Sequence, residues 1–288
     1  MKKFSLVAVL LLLIVLVGCT KETPAECFDY ETEGNHIIIT GLVKTDLEKI
    51  VIPERIEGSF VTEIAEDAFR ECTNLISVTI PDSVTKIDED AFEDCTGLVE
   101  VIIPESVKEI GESAFSGCTS LTSVTIPDSV KEIDYRAFAD CTSLTNVTIP
   151  DSVTEMWGCV FEGCSSLKNI TLSESLEYIT EDAFNGCTSL TSVTIPDSVT
   201  SIGSSAFKGC TSLTNVTIPD SVTSIDWSAF EGCTSLTNVT IPDSVTSIGW
   251  SAFEGCTNLT NVTIPDSVEF IANDAFEGTG VKLPEKFN

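Results

Sequence analysis

The stretch CTSLTNVTIPDSVTSI occupies Cys210–Ile225, and the same sixteen letters return at Cys233–Ile248. A third copy at Cys187–Ile202 differs only by Ser192, where the other two copies have asparagine. A catalytic site needs different residues that converge on one point. Identical text along the chain indicates instead a long, regular surface that is the same in many places.

The repeat has a fixed period of 23 residues, which is the signature of a stacked architecture. It is marked by an apolar residue immediately before a proline, or before the serine that replaces it once. These apolar residues are Ile80, Ile103, Ile126, Ile149, Leu172, Ile195, Ile218, Ile241 and Ile264. A degenerate earlier unit ends at Ile52-Pro53, and a shortened last unit ends at Leu283-Pro284.

One unit predicts one coil of a repeat solenoid. In the unit that begins at Cys210, Val216–Ile218 alternates and is β-branched, which predicts a very short strand. Pro219 lacks an N–H for the ladder and ends that strand. Ser228–Phe230 predicts a helical turn or one turn of 3-10 helix on the return path. Stacked coils then align their strands as a parallel sheet, about 4.8 Å apart.

The N-terminal segment predicts export. Met1-Lys2-Lys3 precedes an unbroken apolar run, Leu6–Val17, which is too short for a comfortable membrane span. The run ends in Leu16-Val17-Gly18-Cys19, which resembles the lipobox of bacterial lipoproteins. That resemblance implies cleavage before Cys19 and a lipid on Cys19 as the only membrane anchor. An ordinary secretory signal that happens to end near a cysteine is the alternative.

Composition excludes several functional classes. The chain has 15 Lys and Arg against 45 Asp and Glu, a net charge of −30, and such a surface repels nucleic acid and anionic lipid. His36 is the only histidine, which removes most histidine-based metal and catalytic chemistry. The sequence therefore predicts no cofactor, no metal site and no enzymatic activity.

The pattern C-x-x-L-x-x-V-x-I-P-x-S-V-x-x-I-x-x-x-A-F-x-x-C resembles the BspA-like, Treponema-type leucine-rich repeats. Cys118–Phe138 matches it throughout, and the resemblance covers the chain from about Asn35 to Pro284. It implies a leucine-rich-repeat fold with short parallel strands on one face and helical turns and loops on the other. Members are typically surface-exposed or secreted proteins linked to adhesion. The implied partner is an extracellular protein or glycan, on host matrix or on another cell.

These observations divide the chain into five segments. They are a lipoprotein signal peptide (1–18), a tether (19–34), an N-terminal cap with the first degenerate repeat (35–70), regular repeats (71–278) and a C-terminal cap (279–288). The expected location is the cell surface, with the lipid in the cell membrane or the outer membrane.

Strand residues that face away from the core predict two polar columns, which are the candidate ligand-binding face. The first column is Ser77, Ser123, Asn146, Asn169, Ser192, Asn215, Asn238 and Asn261. The second column is Thr79, Thr125, Thr148, Thr171, Thr194, Thr217, Thr240 and Thr263. Glu100 and Ile102 interrupt both columns in one coil. The alternative is that threonine simply suits an exposed strand position.

A rival candidate site is aromatic. Trp227 and Trp250 hold the same position in successive coils, and Tyr135 holds it further up the chain. They are either binding hot spots or a cover for the flank of the next coil. The sequence favours neither interpretation.

Two further columns have chemistry to consider. The first is a column of cysteines, Cys72, Cys95, Cys118, Cys141, Cys164, Cys187, Cys210, Cys233 and Cys256. We expect these thiols to be buried and free, because the Cβ atoms of in-register residues on neighbouring coils stand too far apart for a disulfide. The second is Asp82, Glu105, Asp128, Asp151, Glu174, Asp197, Asp220, Asp243 and Asp266, a solvated edge whose carboxylates accept corner hydrogen bonds or else collect Ca²⁺. Cys27 and Cys159 have no predicted role.

Three functions follow in order of preference. The first is a lipid-anchored, non-catalytic surface protein that binds a protein or glycan. The second is a structural envelope protein without a specific ligand, and the third is a crystal- or ice-surface binder that uses the threonine array. An enzyme is the least favoured class, because the coils are interchangeable and no nucleophile motif is present.

Overall fold

The computed structural model describes residues 21–287, which form one β-solenoid of about ten coils. The signal peptide and Cys19 lie outside the described residues. Within residues 21–287, no helix is long and apolar enough to cross a membrane.

The N-terminal cap is a small sheet that closes the first coil. Its strands, together with the first coil strand β3, are β1 (Phe28–Glu33), β2 (His36–Leu42), β3 (Lys49–Val51), β4 (Arg55–Ile56) and β5 (Ser59–Ile64). β1 and β2 form an antiparallel hairpin, and β2 pairs in parallel with β5, which also pairs antiparallel with β4.

The cap begins earlier than the sequence predicts. β1 lies inside 19–34, the segment expected to be a tether, and a 3-10 turn at Ala25–Cys27 precedes it. Cys27 and Phe28 are buried against the first coil, so ordering this segment removes apolar surface from water. Cys27 is therefore a core residue of the cap.

A row of three-residue strands runs along one side of the solenoid, one strand for each coil. After β3 it contains β6 (Ser77–Thr79), β8 (Glu100–Ile102), β10 (Ser123–Thr125), β12 (Asn146–Thr148), β14 (Asn169–Thr171), β16 (Ser192–Thr194), β18 (Asn215–Thr217), β20 (Asn238–Thr240) and β22 (Asn261–Thr263). They form two parallel ladders, one from β3 to β10 and the other from β12 to β22. This row is the strand row that the sequence predicts.

A second row of two-residue strands alternates with the first along the chain. It contains β7 (Lys86–Ile87), β9 (Glu109–Ile110), β11 (Glu132–Ile133), β13 (Glu155–Met156), β15 (Tyr178–Ile179), β17 (Ser201–Ile202), β19 (Ser224–Ile225), β21 (Ser247–Ile248) and β23 (Phe270–Ile271). The ladder that starts in the cap ends at β13, and a separate ladder runs from β15 to β23. The apolar spacing of the sequence does not predict this second row.

The return path is a chain of hydrogen-bonded turns, which corrects the helical turn expected at Ser228–Phe230. Ser228 has φ 56° and Gly232 has φ 71°, and a right-handed helix cannot contain left-handed residues. The residue at the position of Ser228 is left-handed in successive coils from Asp67 to Ser251, so the turn is a property of the repeat. Among residues 21–287, the helical segments are the 3-10 turns Ala25–Cys27 and Glu285–Phe287.

The core is a stack of phenylalanine rings along the solenoid axis. Nine successive ring pairs from Phe69 to Phe276 have centroids 4.9–5.8 Å apart and planes within 14° of parallel. Each ring inside the stack is covered by the coil on either side, which a lone coil could not provide. The hydrophobic stabilisation is therefore a property of neighbouring coils.

The cysteine column packs beside this stack. All nine repeat cysteines are buried and free, as predicted. From Cys95 onward each thiol donates to the carbonyl oxygen of the phenylalanine 26 residues earlier, over 3.0–3.2 Å. Burial raises the pKa of the Cys210 thiol to about 12, and burial likewise raises the pKa of Cys141 and Cys187. Protonated thiols of this kind are packing groups and not nucleophiles.

Candidate functional site

The three-residue strands build an exposed face, here called the strand face. In each strand the middle side chain points into the core and the two outer side chains point to solvent. In β18, Val216 is buried while Asn215 and Thr217 are exposed, because successive strand residues point to opposite sides. The register pairs Thr194 with Thr217 directly. Parallel pairing within each ladder aligns the two predicted columns, with one interruption between β10 and β12, which do not pair.

The asparagine column is partly occupied by its own hydrogen bonds. The Asn169 amide donates to the Asn146 carbonyl oxygen over 2.8 Å, and Asn261 donates to Asn238 over 3.3 Å. Asn215 donates to the hydroxyl of Thr214, its neighbour in sequence, over 3.2 Å. Part of the column's hydrogen-bonding capacity is therefore used within and between the coils.

The threonine column differs from the asparagine column because its hydroxyls are free. Within the described residues, no side-chain hydrogen bond involves Thr125, Thr148, Thr171, Thr194, Thr217, Thr240 or Thr263, and all seven are exposed. By contrast, the Thr214 hydroxyl, just before the strand, donates to the Thr191 carbonyl over 3.2 Å. The strand column thus offers a row of donors and acceptors to an external partner.

The strand face changes character in one coil near its N-terminal end. Ile102 stands in the threonine column and is 60% exposed, and Val99 and Ile76 beside the strands are also exposed. Glu100 replaces the polar residue of the other column. The sequence shows the interruption, but it does not show that three apolar side chains lie open there.

Both tryptophans are exposed, and Trp227 also has the covering role that the sequence leaves open. Trp227 is 63% exposed and Trp250 is 48% exposed. Trp227 also lies against the next coil, since a Cβ added at Gly249 would stand 2.9 Å from the Trp227 ring. An aromatic ring at this position covers its neighbour with one side and meets solvent with the other.

The acidic edge is solvated, but its carboxylates are not the corner caps that the sequence predicts. All nine are exposed, and among the described residues only Asp151 accepts a backbone N–H, that of Glu174 at 3.0 Å. Serine caps the corner instead, as when Ser221 donates to the Val199 carbonyl over 2.5 Å. Over residues 21–287, no group of three or more His, Cys, Asp or Glu is arranged to hold a metal ion.

The coils, the parallel strand row and the exposed strand face define a leucine-rich-repeat solenoid. The family described as "BspA type Leucine rich repeat region (6 copies)" matches residues 40–168 and 158–282. The chain therefore belongs to the BspA-type leucine-rich-repeat family. A search of curated proteins found no match.

Two solved structures show the same architecture. A leucine-rich cell surface protein from Faecalibacterium prausnitzii A2-165 is 32% identical, with a TM-score of 0.66, over 89% of this chain and 85% of that one. A leucine-rich repeat protein from Bacteroides ovatus ATCC 8483 is 25% identical, with a TM-score of 0.56, over 87% of this chain and 90% of that one. The similarity extends over nearly the whole solenoid in each case.

Proposed function

We propose that this chain is a lipid-anchored bacterial cell-surface protein that binds an extracellular protein or glycan and has no catalytic activity. Leucine-rich repeats of this family generally serve as interaction modules, and one similar solved structure is described as a cell surface protein. The lipobox-like Leu16–Cys19 supports the anchor.

The observation that carries the proposal is the row of free threonine hydroxyls on the strand face. Their spacing follows the coils, about 4.8 Å from one to the next. A partner that lies along the solenoid meets the same group at every step and gains many weak contacts at once. Affinity should therefore depend on the number of coils engaged more than on any single residue.

The test adds charge to this face and to a matched face. The first triple variant combines Thr194→Lys, Thr217→Lys and Thr240→Lys. It should abolish attachment of the full chain to immobilised collagen, fibronectin, laminin or glycans, measured in mild detergent. The control is Thr200→Lys, Thr223→Lys and Thr246→Lys, which changes the same residue type in the same coils outside the strand face. Those control hydroxyls donate to carbonyls of the preceding coil.

Equal binding by the two triple variants would contradict the strand-face assignment. Loss of binding in Trp227→Ala with Trp250→Ala, and not in the first triple variant, would place the site on the turn side. Absence of any binding partner would favour the structural envelope role. Circular dichroism of each variant separates loss of binding from loss of fold.

The anchor is tested separately from the binding face. Cys19→Ala should move the expressed protein from the detergent phase to the aqueous phase in detergent partitioning, since no other lipid attachment point is proposed. Cys27→Ala is a useful control, because it removes a cysteine of similar sequence position that is buried in the cap. If both variants remain with the detergent, the lipoprotein assignment is wrong.

A further inference from the structure

The second strand row is broken between two neighbouring coils, Cys141–Gly163 and Cys164–Gly186, here called the junction coils. Elsewhere in this row the backbone bonds recur, as when Thr200 donates to Glu177 and Gly203 donates to Ile179, each over 2.8 Å. The equivalent bonds from Glu177 to Thr154 and from Thr180 to Met156 are absent, and β13 and β15 do not pair. The Thr180 hydroxyl still donates to the Trp157 carbonyl across this junction over 2.8 Å. The N–H groups of Glu177 and Thr180 therefore lack the backbone partners that their equivalents have.

Larger core residues accompany the break. Val160 stands where the other regular coils have alanine, Met156 where they have isoleucine and Leu176 where they have valine. All three are buried, so the added volume must be accommodated by moving the coils apart. The phenylalanine rings record the separation, with Phe161 centred 5.7 and 5.8 Å from its two neighbours against 4.9–5.4 Å elsewhere.

A groove of about 740 Å³ lies over this junction, and two aromatic rings line it. Trp157 is 50% exposed and Tyr178 is 54% exposed, although both adjoin buried core residues. The Trp157 indole N–H donates to a Glu132 carboxylate oxygen over 2.5 Å, which fixes the ring at the groove. Exposed aromatic rings in a concave site are common anchors for a ligand.

The charge of this junction groove is entirely negative among the residues that the structure describes. Glu155, Glu177, Glu181 and Asp226 line it, and no lysine or arginine of residues 21–287 does. None of these four carboxylates forms an ion pair with another residue of the described part of the chain. The groove therefore combines aromatic ring faces with carboxylates that form no ion pair.

We propose that the junction groove binds an arginine side chain of an extended partner peptide. A guanidinium group is planar, stacks on aromatic faces and presents five donors to carboxylates and carbonyls at once. A lysine ammonium supplies the charge without the plane and holds its water more tightly. This site is independent of the strand face, so it stands whether or not the threonine column binds a partner.

The experiment uses a fluorescein-labelled glycine hexapeptide with two arginines and measures fluorescence anisotropy with the full chain, in detergent, at about 150 mM salt. Two matched peptides replace both arginines, one with lysine and one with neutral citrulline. Compared with the arginine peptide, the lysine peptide should bind several-fold more weakly and the citrulline peptide about tenfold more weakly. Trp157→Ala with Tyr178→Ala should weaken the arginine peptide by about tenfold. Trp157→Phe, which keeps a ring face, should retain most of that binding.

Matched controls separate the groove from the acidic surface in general. Trp250→Ala with Phe270→Ala removes two rings of similar exposure from coils that do not line the groove, and should change affinity less than twofold. Glu155→Gln with Glu181→Gln should weaken binding several-fold, whereas Asp197→Asn with Asp243→Asn removes the same charge from the acidic edge and should not. Circular dichroism confirms that each variant is folded.

Four outcomes decide the proposal. Loss confined to the groove variants, with arginine preferred, supports it. Equal losses in groove and control variants would mean that the acidic surface attracts cations diffusely, which overturns the site. Equal affinity for arginine and lysine peptides would overturn the guanidinium assignment. Failure of the arginine peptide to bind wild type above the citrulline peptide would overturn both, and would leave the strand-face tests unaffected.

Discussion

Two regions of one solenoid share a 23-residue period and differ in how their coils meet. In the regular coils Cys187–Gly255, neighbouring phenylalanine rings lie 5.2–5.3 Å apart and both strand rows are paired. Between the junction coils the rings lie 5.8 Å apart and the second row is broken. The period sets the path of the chain, whereas the volume of a few core residues sets the fit between coils.

The difference also separates the two binding surfaces that we propose. The regular coils repeat one face, so any partner gains by engaging several coils. The junction coils make one groove whose residues occur once, so a partner there is selected by local chemistry. A repeat protein can thus combine a uniform surface with a single specific site, provided that one coil departs from the pattern.

The largest expected effect concerns the register of whole coils. Deleting Cys210–Gly232 should leave a folded, shorter solenoid, because the flanking coils are nearly identical and can stack directly. Deleting only Cys210–Ser221 should abolish the cooperative transition, because every later coil loses its register. Circular dichroism melts compare the two. If both deletions melt alike, the coil does not run from Cys210 to Gly232.

A second prediction concerns alkaline pH, through the thiol column that runs through both regions. Burial raises the pKa of Cys141 and Cys187 well above the ordinary value of 9.0. Well below pH 9.0 these thiols are protonated in folded and unfolded chains alike, so they cause no pH dependence. Above it only the unfolded chain loses the protons, and stability should fall by about 1.4 kcal/mol per pH unit for each buried thiol.

The check is the free energy of unfolding in urea between about pH 8 and pH 11. Cys187→Ala removes one titrating group, so its decline at alkaline pH should be shallower than that of wild type. Val199→Ala is the comparison, because it removes part of a buried side chain from the same coil without removing a titrating group. An unchanged decline in Cys187→Ala would mean that this thiol already ionises freely in the folded chain.

Much of this architecture could be predicted from the sequence, because the same pattern of apolar and β-branched residues recurs in each coil. The period, the strand at Val216–Ile218, the buried cysteines and the exposed columns follow from apolar spacing and β-branching. The turn around Ser228 cannot be told from a helical turn in the sequence, since small and apolar residues suit both, and only the left-handed φ distinguishes them. The ordered β1 is not predicted because its charged residues resemble a tether.

The sites could be predicted only in part. Threonine occurs both in the strand column and at Thr214, and only the structure shows that one hydroxyl is free and the other donates to a neighbouring carbonyl. The junction groove lies beside Val160, which adds two methyl groups to the repeat's alanine, and the wider ring spacing there appears only when coils are stacked. A signal existed, because Trp157, Val160 and Ser173 all depart from the pattern within two coils.

A third prediction compares core packing in the two regions. Phe230→Ala in a regular coil should cost about 3–5 kcal/mol of unfolding free energy. Phe161→Ala at the junction should cost roughly 1 kcal/mol less, since dispersion contacts weaken with distance and its neighbours are farther away. Urea denaturation of both variants measures the difference, with equal m-values as the control. A larger cost at Phe161 would show that the junction is packed at least as tightly.

The smallest expected effect is the most local test of the broken row, and its first measurement requires no substitution. The backbone N–H groups of Thr200 and Gly203 are bonded across a regular interface, whereas those of Glu177 and Thr180 lack the equivalent bonds. Amide exchange requires an open N–H, so Glu177 and Thr180 should exchange at least about a hundredfold faster than Thr200 and Gly203 at the same pH.

A triple variant tests the cause of the break. Val160→Ala with Met156→Ile and Leu176→Val restores the core volumes of the regular coils. It should slow exchange at Glu177 and Thr180 by bringing β13 and β15 into pairing distance. The amides of Thr200 and Gly203 should be unaffected, because their own interface is already closed. Equal protection at all four amides in wild type would mean that the row is continuous in solution, and the groove would then lose its structural basis.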